Sequence, residues 1–534
     1  MPYPEISRRK FLQYTALGTL ASTMPGLSWA ENRIMNQDPD KNFKPDVELE
    51  LYAQNAEVPI LPGAHTHVFQ YTGKLLKGPA GTLKTVPGYL GPILNFERGQ
   101  KIRIFFYNQI SEPVITHWHG LHLPQKMDGH PMYEILNGER YVYEFEVDNP
   151  AATYWYHSHT HEMTATQVYQ GLAGLITVRD AAEQKLELPA DEYEIPLVIQ
   201  DRTFTNGNQL HYLHGRHRRM MGFLGDTILV NGQVNHSIPV KTRAYRLRLL
   251  NGSNSRIYKL GWDDGTPLTV IGTDGGLLEK PETFPYVMLA PAERVELWMD
   301  FSGRKPGSEL TMQSLTYKGG GAHMGGMGRM GGMSGGIPQG KSFSIVKFNI
   351  TEQVGDSPSL PEKLVSIRRL STQDLTSPAK TVPIEIGMRH MLFQLNDQTF
   401  RMYDHQEIER IPVNSIQKIR IFHEGRMGGD RHGGGMGGRR GMGMMGMMLS
   451  LPHPIHLHGQ QFQIVSRKQN ESNSAYDTIK QGFIDKGWKD TILVMPGEDI
   501  EIIKPFEDYT GLFLYHCHNL EHEDLGMMRN FEVY

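Results

Sequence analysis

The sequence predicts an all-β protein, built of sandwiches or barrels and divided into three domains. Three observations carry that expectation. Segments 101–107, 141–147, 245–250 and 417–422 alternate apolar and polar residues or run apolar, and are rich in β-branched and aromatic types. Gly and Pro punctuate at short intervals, as at Pro87-Gly88, Gly91-Pro92 and Pro496-Gly497, and no amphipathic helix of any length stands out. Two composition breaks, an acidic stretch at 181–196 and another at 351–361, cut the chain into parts of normal domain size.

Taken in order, the chain begins with an address. Ser7-Arg8-Arg9-Lys10-Phe11-Leu12 reads as a signal for the twin-arginine export machinery, a mildly apolar stretch follows at 14–27, and Ser28-Trp29-Ala30 offers small residues for cleavage. Residues 1–30 are therefore expected to be a signal peptide, which places the protein in the periplasm or outside the cell. The expected domains are 45–182, 190–350 and 360–534. The second contains a Gly/Met-rich loop at 319–336 and the third another at 425–448, both too rich in glycine to pack a core.

Composition narrows the function. Lys and Arg number 54 against 58 Asp and Glu, a net charge of −4 that gives no surplus for binding nucleic acid. No apolar run approaches a membrane span, so the mature protein is expected to have none. One cysteine, Cys517, excludes an internal disulfide, while 24 histidines and 28 methionines point to soft and borderline metal ligands.

The histidines are patterned. His117-Trp118-His119-Gly120 is echoed by His456-Leu457-His458-Gly459, and each is followed by a second pair, His157-Ser158-His159 and His516-Cys517-His518. The same two-part pattern in the first and last thirds suggests related terminal domains that meet. On a strand, residues two apart project to one face, so each pair can reach one metal cluster. Eight imidazoles suit copper, iron, zinc or nickel. Cys517, His522 and Met527, with His453 upstream, break the tie: two His, one thiolate and a weak axial Met are the set of a blue-copper centre.

With these motifs, and with Gly171-Leu172-Ala173-Gly174-Leu175 after the second pair, the mature chain resembles the multicopper oxidases over essentially its whole length. The resemblance implies three cupredoxin-like Greek-key β-sandwich domains and four coppers per chain: one type 1, one type 2 and two type 3. It implies His453, Cys517, His522 and axial Met527 at type 1 copper, and His117 and His456 at type 2. It implies His119, His157, His159, His458, His516 and His518 at the type 3 pair. His161 extends the second motif, but its counterpart in the family is not a ligand. Asp128 and Glu523 match acidic residues that handle protons on two sides of the cluster.

The activity implied is oxidation of a reductant one electron at a time, coupled to four-electron reduction of dioxygen to water. The two loops hold Met324, Met327, Met330 and Met333, then Met427, Met436, Met442, Met444, Met445, Met447 and Met448. Thioethers favour Cu(I), so the expected reductant is Cu(I), with phenols and aromatic amines also accepted. That resembles the copper-efflux branch of the family, although Leu449-Ser450-Leu451-Pro452 stands where that branch has acidic and Met residues, and Arg426, Arg431, Arg439 and Arg440 sit in the loop. A laccase acting on aromatic phenols is the alternative.

Overall fold

The computed structural model describes residues 38–212, 219–318, 336–389, 392–425, 450–470 and 473–534. The expected signal peptide and almost all of both Gly/Met-rich loops lie outside the described residues.

Six sheets pair into three two-sheet sandwiches. In the first, Val47–Val58 shows why the chain takes this form: Val47, Leu49, Leu51 and Ala53 are buried while the residues between them face outward, the period of a strand with one face on a core. Its four-stranded sheet runs in the order Thr66–Lys77, Val47–Val58, Lys101–Asn108, Arg140–Glu146. Ile102, Ile104 and Phe106 meet Tyr154 and Tyr156 of the facing sheet in one core.

Each sandwich opens with a strand that lies parallel to a later one: Val47–Val58 on Lys101–Asn108, Glu194–Arg202 on Ala244–Asn251, and Thr381–Arg389 on Ser415–His423. A parallel pair in an otherwise mostly antiparallel sheet needs a crossover between sheets, the mark of a Greek-key sandwich. The helices among the described residues are short, namely Thr164–Gln170, Ala181–Gln184 and Leu520–Asp524.

Apolar seams fix the three units to one another. Tyr89 and Trp155 of the first pack with Val198, Leu229 and Leu250 of the second. Ile257, Met288 and Tyr317 of the second pack with Ile479, Leu493 and Met495 of the third. Ala165 and Val168 meet Leu520, so the first and third units also touch directly. Burying one such large side chain stabilises by about 1.5–3 kcal/mol. The first seam carries a buried ionic network as well, in which Glu183, Glu194 and Glu296 surround Arg246 and Arg248.

Candidate metal centres

Strand register assembles the histidines. His117 lies opposite His157 where Thr116–His117 pairs with Ala152–Ser158, and His456 lies opposite His516 where His453–Leu457 pairs with Gly511–Cys517. The two terminal sandwiches therefore use the same device, and they face each other. His117 Nε2 is 3.4 Å from His456 Nε2, and His516 Nε2 is 3.3 Å from His159 Nε2 and 3.2 Å from His458 Nε2. His119 stacks on His456 with ring centres 3.7 Å apart, and His518 closes the group against His119 and His157. All eight expected cluster histidines are brought together, each at most 1% exposed.

The chemistry of this group fits a bound metal. Burial, reinforced by neighbouring imidazoles, holds His117, His119, His456, His458 and His518 well below the ordinary histidine range. Burial likewise takes His157 to about 4 and His159 to about 3. These rings are neutral and offer lone pairs. His119 Nδ1, His157 Nε2, His159 Nδ1 and both nitrogens of His518 are buried without a hydrogen-bond partner, at a cost of about 1–3 kcal/mol each. Several cations bound among them would remove that cost.

A surrounding ring of acceptors orients the imidazoles. His117 Nδ1 donates to the Asp128 carbonyl at 2.5 Å, His456 Nδ1 to the Asp490 carbonyl at 2.8 Å, and His157 Nδ1 to the Ser158 carbonyl at 2.8 Å. Each contact fixes the tautomer and turns the opposite nitrogen inward. His119 is turned the other way. Its Nε2 donates to Asp490 Oδ1 at 3.1 Å, which leaves Nδ1 for a metal.

Both expected carboxylates are buried beside the cluster. Asp128 follows the short turn Gln125–Met127 and precedes Gly129, whose φ of +87° and closeness to Thr116 and His117 leave no room for a Cβ. Burial pushes Asp128 well above the usual carboxylate range, against the pull of Lys504. Glu523 Oε2 is 3.0 Å from His516 Nδ1, and its Oε1 is 3.7 Å from His159 Nε2. Burial would raise Glu523, yet the imidazoles of His516, His159 and His518 hold it well below the usual range.

Reading by histidine motifs passed over Asp490. This buried carboxylate touches His119 and is gripped by Arg294, a residue of the middle sandwich, at 2.8 Å on Oδ1 and 2.5 Å on Oδ2. The signal in the sequence was the charged pair Lys489-Asp490 leading straight into the apolar strand Thr491–Val494.

The second centre is built around the thiol. Cys517 ends the strand Gly511–Cys517, and His522 sits in the helix Leu520–Asp524. Cys517 Sγ is 3.4 Å from His453 Nδ1 and 3.8 Å from His522 Nδ1, and the two nitrogens are 3.2 Å apart. A point about 2 Å from all three atoms lies between them, close to the bond lengths that His and Cys make to first-row metals. Met527 is buried in the same core, and its carbonyl accepts the Cys517 N–H at 3.0 Å. The Asn519 N–H points at Sγ from 3.4 Å. Burial raises the Cys517 thiol well above its ordinary range, and a bound metal would displace that proton. Cys517 joins the centres covalently, since both its neighbours belong to the histidine cluster.

Known proteins resemble this chain in sequence and fold. Family models described as multicopper oxidase match residues 72–183 and 441–534, the two regions that hold the paired histidine motifs. A multicopper oxidase of Staphylococcus haemolyticus is 30% identical over 474 residues, covering 87% of this chain and 88% of that protein. A laccase of Bacillus subtilis is 29% identical over 459 residues, covering 80% of this chain and 81% of that one. The crystal structure of McoA, a multicopper oxidase from the hyperthermophile Aquifex aeolicus, superimposes with a TM-score of 0.73 at 30% identity, covering 92% of this chain and 97% of that one. The three sandwiches are this chain's three cupredoxin-like domains, and the match covers them. Since the likeness spans nearly the full length of both chains and includes both halves of the cluster, this chain belongs to the multicopper oxidase family.

Proposed function

We propose that the protein is an exported oxidase that takes electrons from Cu(I), and less specifically from phenols and aromatic amines, and reduces dioxygen to water in the service of copper tolerance. The observation that carries this reading is the pair of buried donor sets joined through the single residue Cys517. We assign it four coppers: type 1 on His453, Cys517, His522 and Met527; type 2 on His117 and His456; and the type 3 pair on His119, His157, His159, His458, His516 and His518. Bound copper supplies the one-electron redox chemistry and the dioxygen reactivity that protein side chains lack.

The chain's own residues supply the rest. His516 Nδ1 donates to the Cys517 carbonyl at 3.2 Å, a hydrogen-bonded path beside the covalent one between the two centres. Four one-electron oxidations and four protons convert one dioxygen to two waters. We assign the handling of those protons to Asp128 and Glu523. The histidines of the cluster are buried, which limits their contact with bulk water.

Cu(I) is preferred as reductant because of the eleven methionines of the 319–336 and 425–448 loops. The loops belong to our second and third domains, 190–350 and 360–534, and 45–182 is the first. The twin-arginine motif at Arg8-Arg9 supports export to the periplasm, and no described helix is long and apolar enough to cross a membrane. A laccase acting chiefly on phenols is the second reading, favoured by relatives of that name. Oxygen uptake measured with Cu(I) and with a simple phenol separates them. A higher kcat/KM on Cu(I) supports the first reading, and the reverse supports the laccase.

A further inference from the structure

His522 presents Nδ1 to Cys517 and His453, so Nε2 is the outward end of its ring. That end is covered. His522 is 0% exposed, and its Nε2 donates to the backbone carbonyl of Met220 at 3.0 Å. Met220 comes from the middle sandwich, 302 residues away. Its side chain is buried in the same core as Cys517 and Met527, with Met221 packed beside it.

The segment is anchored at both ends. Arg219 Nη2 donates to Asp524 Oδ2 at 3.0 Å, and the Phe223 N–H to Glu521 Oε2 at 3.0 Å. Glu521 also accepts from Tyr212 at 2.7 Å and from Asn254 at 2.8 Å. Glu521 and Asp524 flank His522 and Glu523 on one short helix, so the segment is fastened to the element that carries the ligand. Between the anchors, Gly222 has φ +76°, and a Cβ there would lie 2.6 Å from Ser255 Oγ and 2.7 Å from Asn519 Nδ2. Only glycine lets the backbone come this close.

We propose that residues 219–223 are a specificity-determining cap, which keeps aromatic reductants from touching His522 and leaves the site to small reductants acting at the cap's outer face. This rests on our reading of His522 as a type 1 ligand. An organic donor gives up its electron best in direct contact with a ligand ring, and here the ring's free nitrogen is spent on a carbonyl. Displacing the cap should admit phenols without altering donors that need no contact.

The test uses the copper-loaded protein with Gly222→Ala, which pushes the segment outward, and Arg219→Ala, which removes one anchor by a different route. Two quantities are read. One is the ratio of kcat/KM for 2,6-dimethoxyphenol to that for hexacyanoferrate(II), a donor that transfers its electron without binding. The other is the rate at which Cys517, the sole thiol, is labelled by a thiol reagent when a chelator strips the copper. Both should rise by about fivefold or more in either variant, with the blue band retained. An unchanged ratio in a variant that keeps its blue band overturns the cap, whatever the labelling rate. If Gly222→Ala does not fold, Arg219→Ala decides alone. An unmodified protein without a blue band would sink the type 1 assignment instead, a separate failure seen before any variant is compared.

Discussion

Asp128 belongs to the amino-terminal sandwich, yet its carboxylate accepts a hydrogen bond from His458 Nδ1 of the carboxy-terminal one at 2.6 Å. Its backbone carbonyl meanwhile accepts from His117. One residue thus orients a histidine from each half of the cluster, and its second carboxylate oxygen, 3.6 Å from His117 Nδ1, makes no hydrogen bond among the described residues. Asp128 therefore has two roles that substitution can separate.

Asp128→Asn keeps an acceptor for His458 and removes the titrating group. It should retain copper content and the blue band while slowing dioxygen reduction by about ten- to ten-thousandfold, the range for a general acid–base group. Asp128→Ala also frees His458 and should lose copper from the cluster. Metal analysis beside steady-state oxygen uptake reads both. Normal turnover in Asp128→Asn would reduce the residue to a structural support.

Cys517→Ser tests the link between the centres. Serine is a poor soft ligand, so the blue colour and all oxidase activity should vanish, while the eight cluster histidines still load copper because none of their contacts needs sulfur. Absorption spectra and metal content check this. A blue Cys517→Ser protein would refute the thiolate assignment.

That the paired histidines would meet, and that Cys517 would group with His453 and His522, was legible in the sequence because two short-range rules suffice to see it. A strand puts alternate residues on one face, and His-x-His then needs no further information to define a ligand pair. The strand expected at 101–107 is found as Lys101–Asn108, and the one at 417–422 lies within Ser415–His423, since alternation is also local. Arg294 gripping Asp490 and Met220 covering His522 were not legible. Each joins the middle sandwich to the third across roughly 200 to 300 residues, and neither contact leaves a motif at either end. Glu521 and Asp524 were not legible for a related reason, since only the fold gives each its partners, Tyr212, Phe223 and Asn254 for Glu521 and Arg219 for Asp524.

The methionines of 425–448 are open to a direct test. Replacing all seven by Ser keeps loop length and removes every thioether. Cu(I) oxidation should then lose efficiency mainly through a raised KM, because the residues assigned to the chemistry are untouched. Phenol oxidation should hold steady or improve. The same change in 319–336 should act in the same direction but more mildly, since the sequence does not put that loop beside an expected copper ligand. Kinetics on both reductants decide it. Equal losses on both would make the loop a general support, and no loss on either would favour the laccase reading.

The ionic network between the first two sandwiches ties Glu194 to Arg179 and Arg248. Glu194 receives both terminal nitrogens of Arg179, at 2.8 and 2.6 Å, and lies 3.0 Å from Arg248 Nε. Burial would raise its carboxyl, but Arg248, Arg246 and Arg179 bring it down to about 2 from 4.5. A depressed carboxylate contributes stability that is complete above its unfolded value. That stability drains away as pH falls from about 4.5 through about 2. The shift corresponds to about 3 kcal/mol at neutral pH. Glu194→Gln removes this contribution and leaves every expected copper ligand in place, so acid effects on the metal sites cancel between the two proteins. The wild type should therefore melt at a clearly higher temperature than Glu194→Gln at pH 6, and the gap should narrow steadily below pH 4.5. A gap that stays constant down to the acid limit would mean that Glu194 acts there through packing and not through its charge.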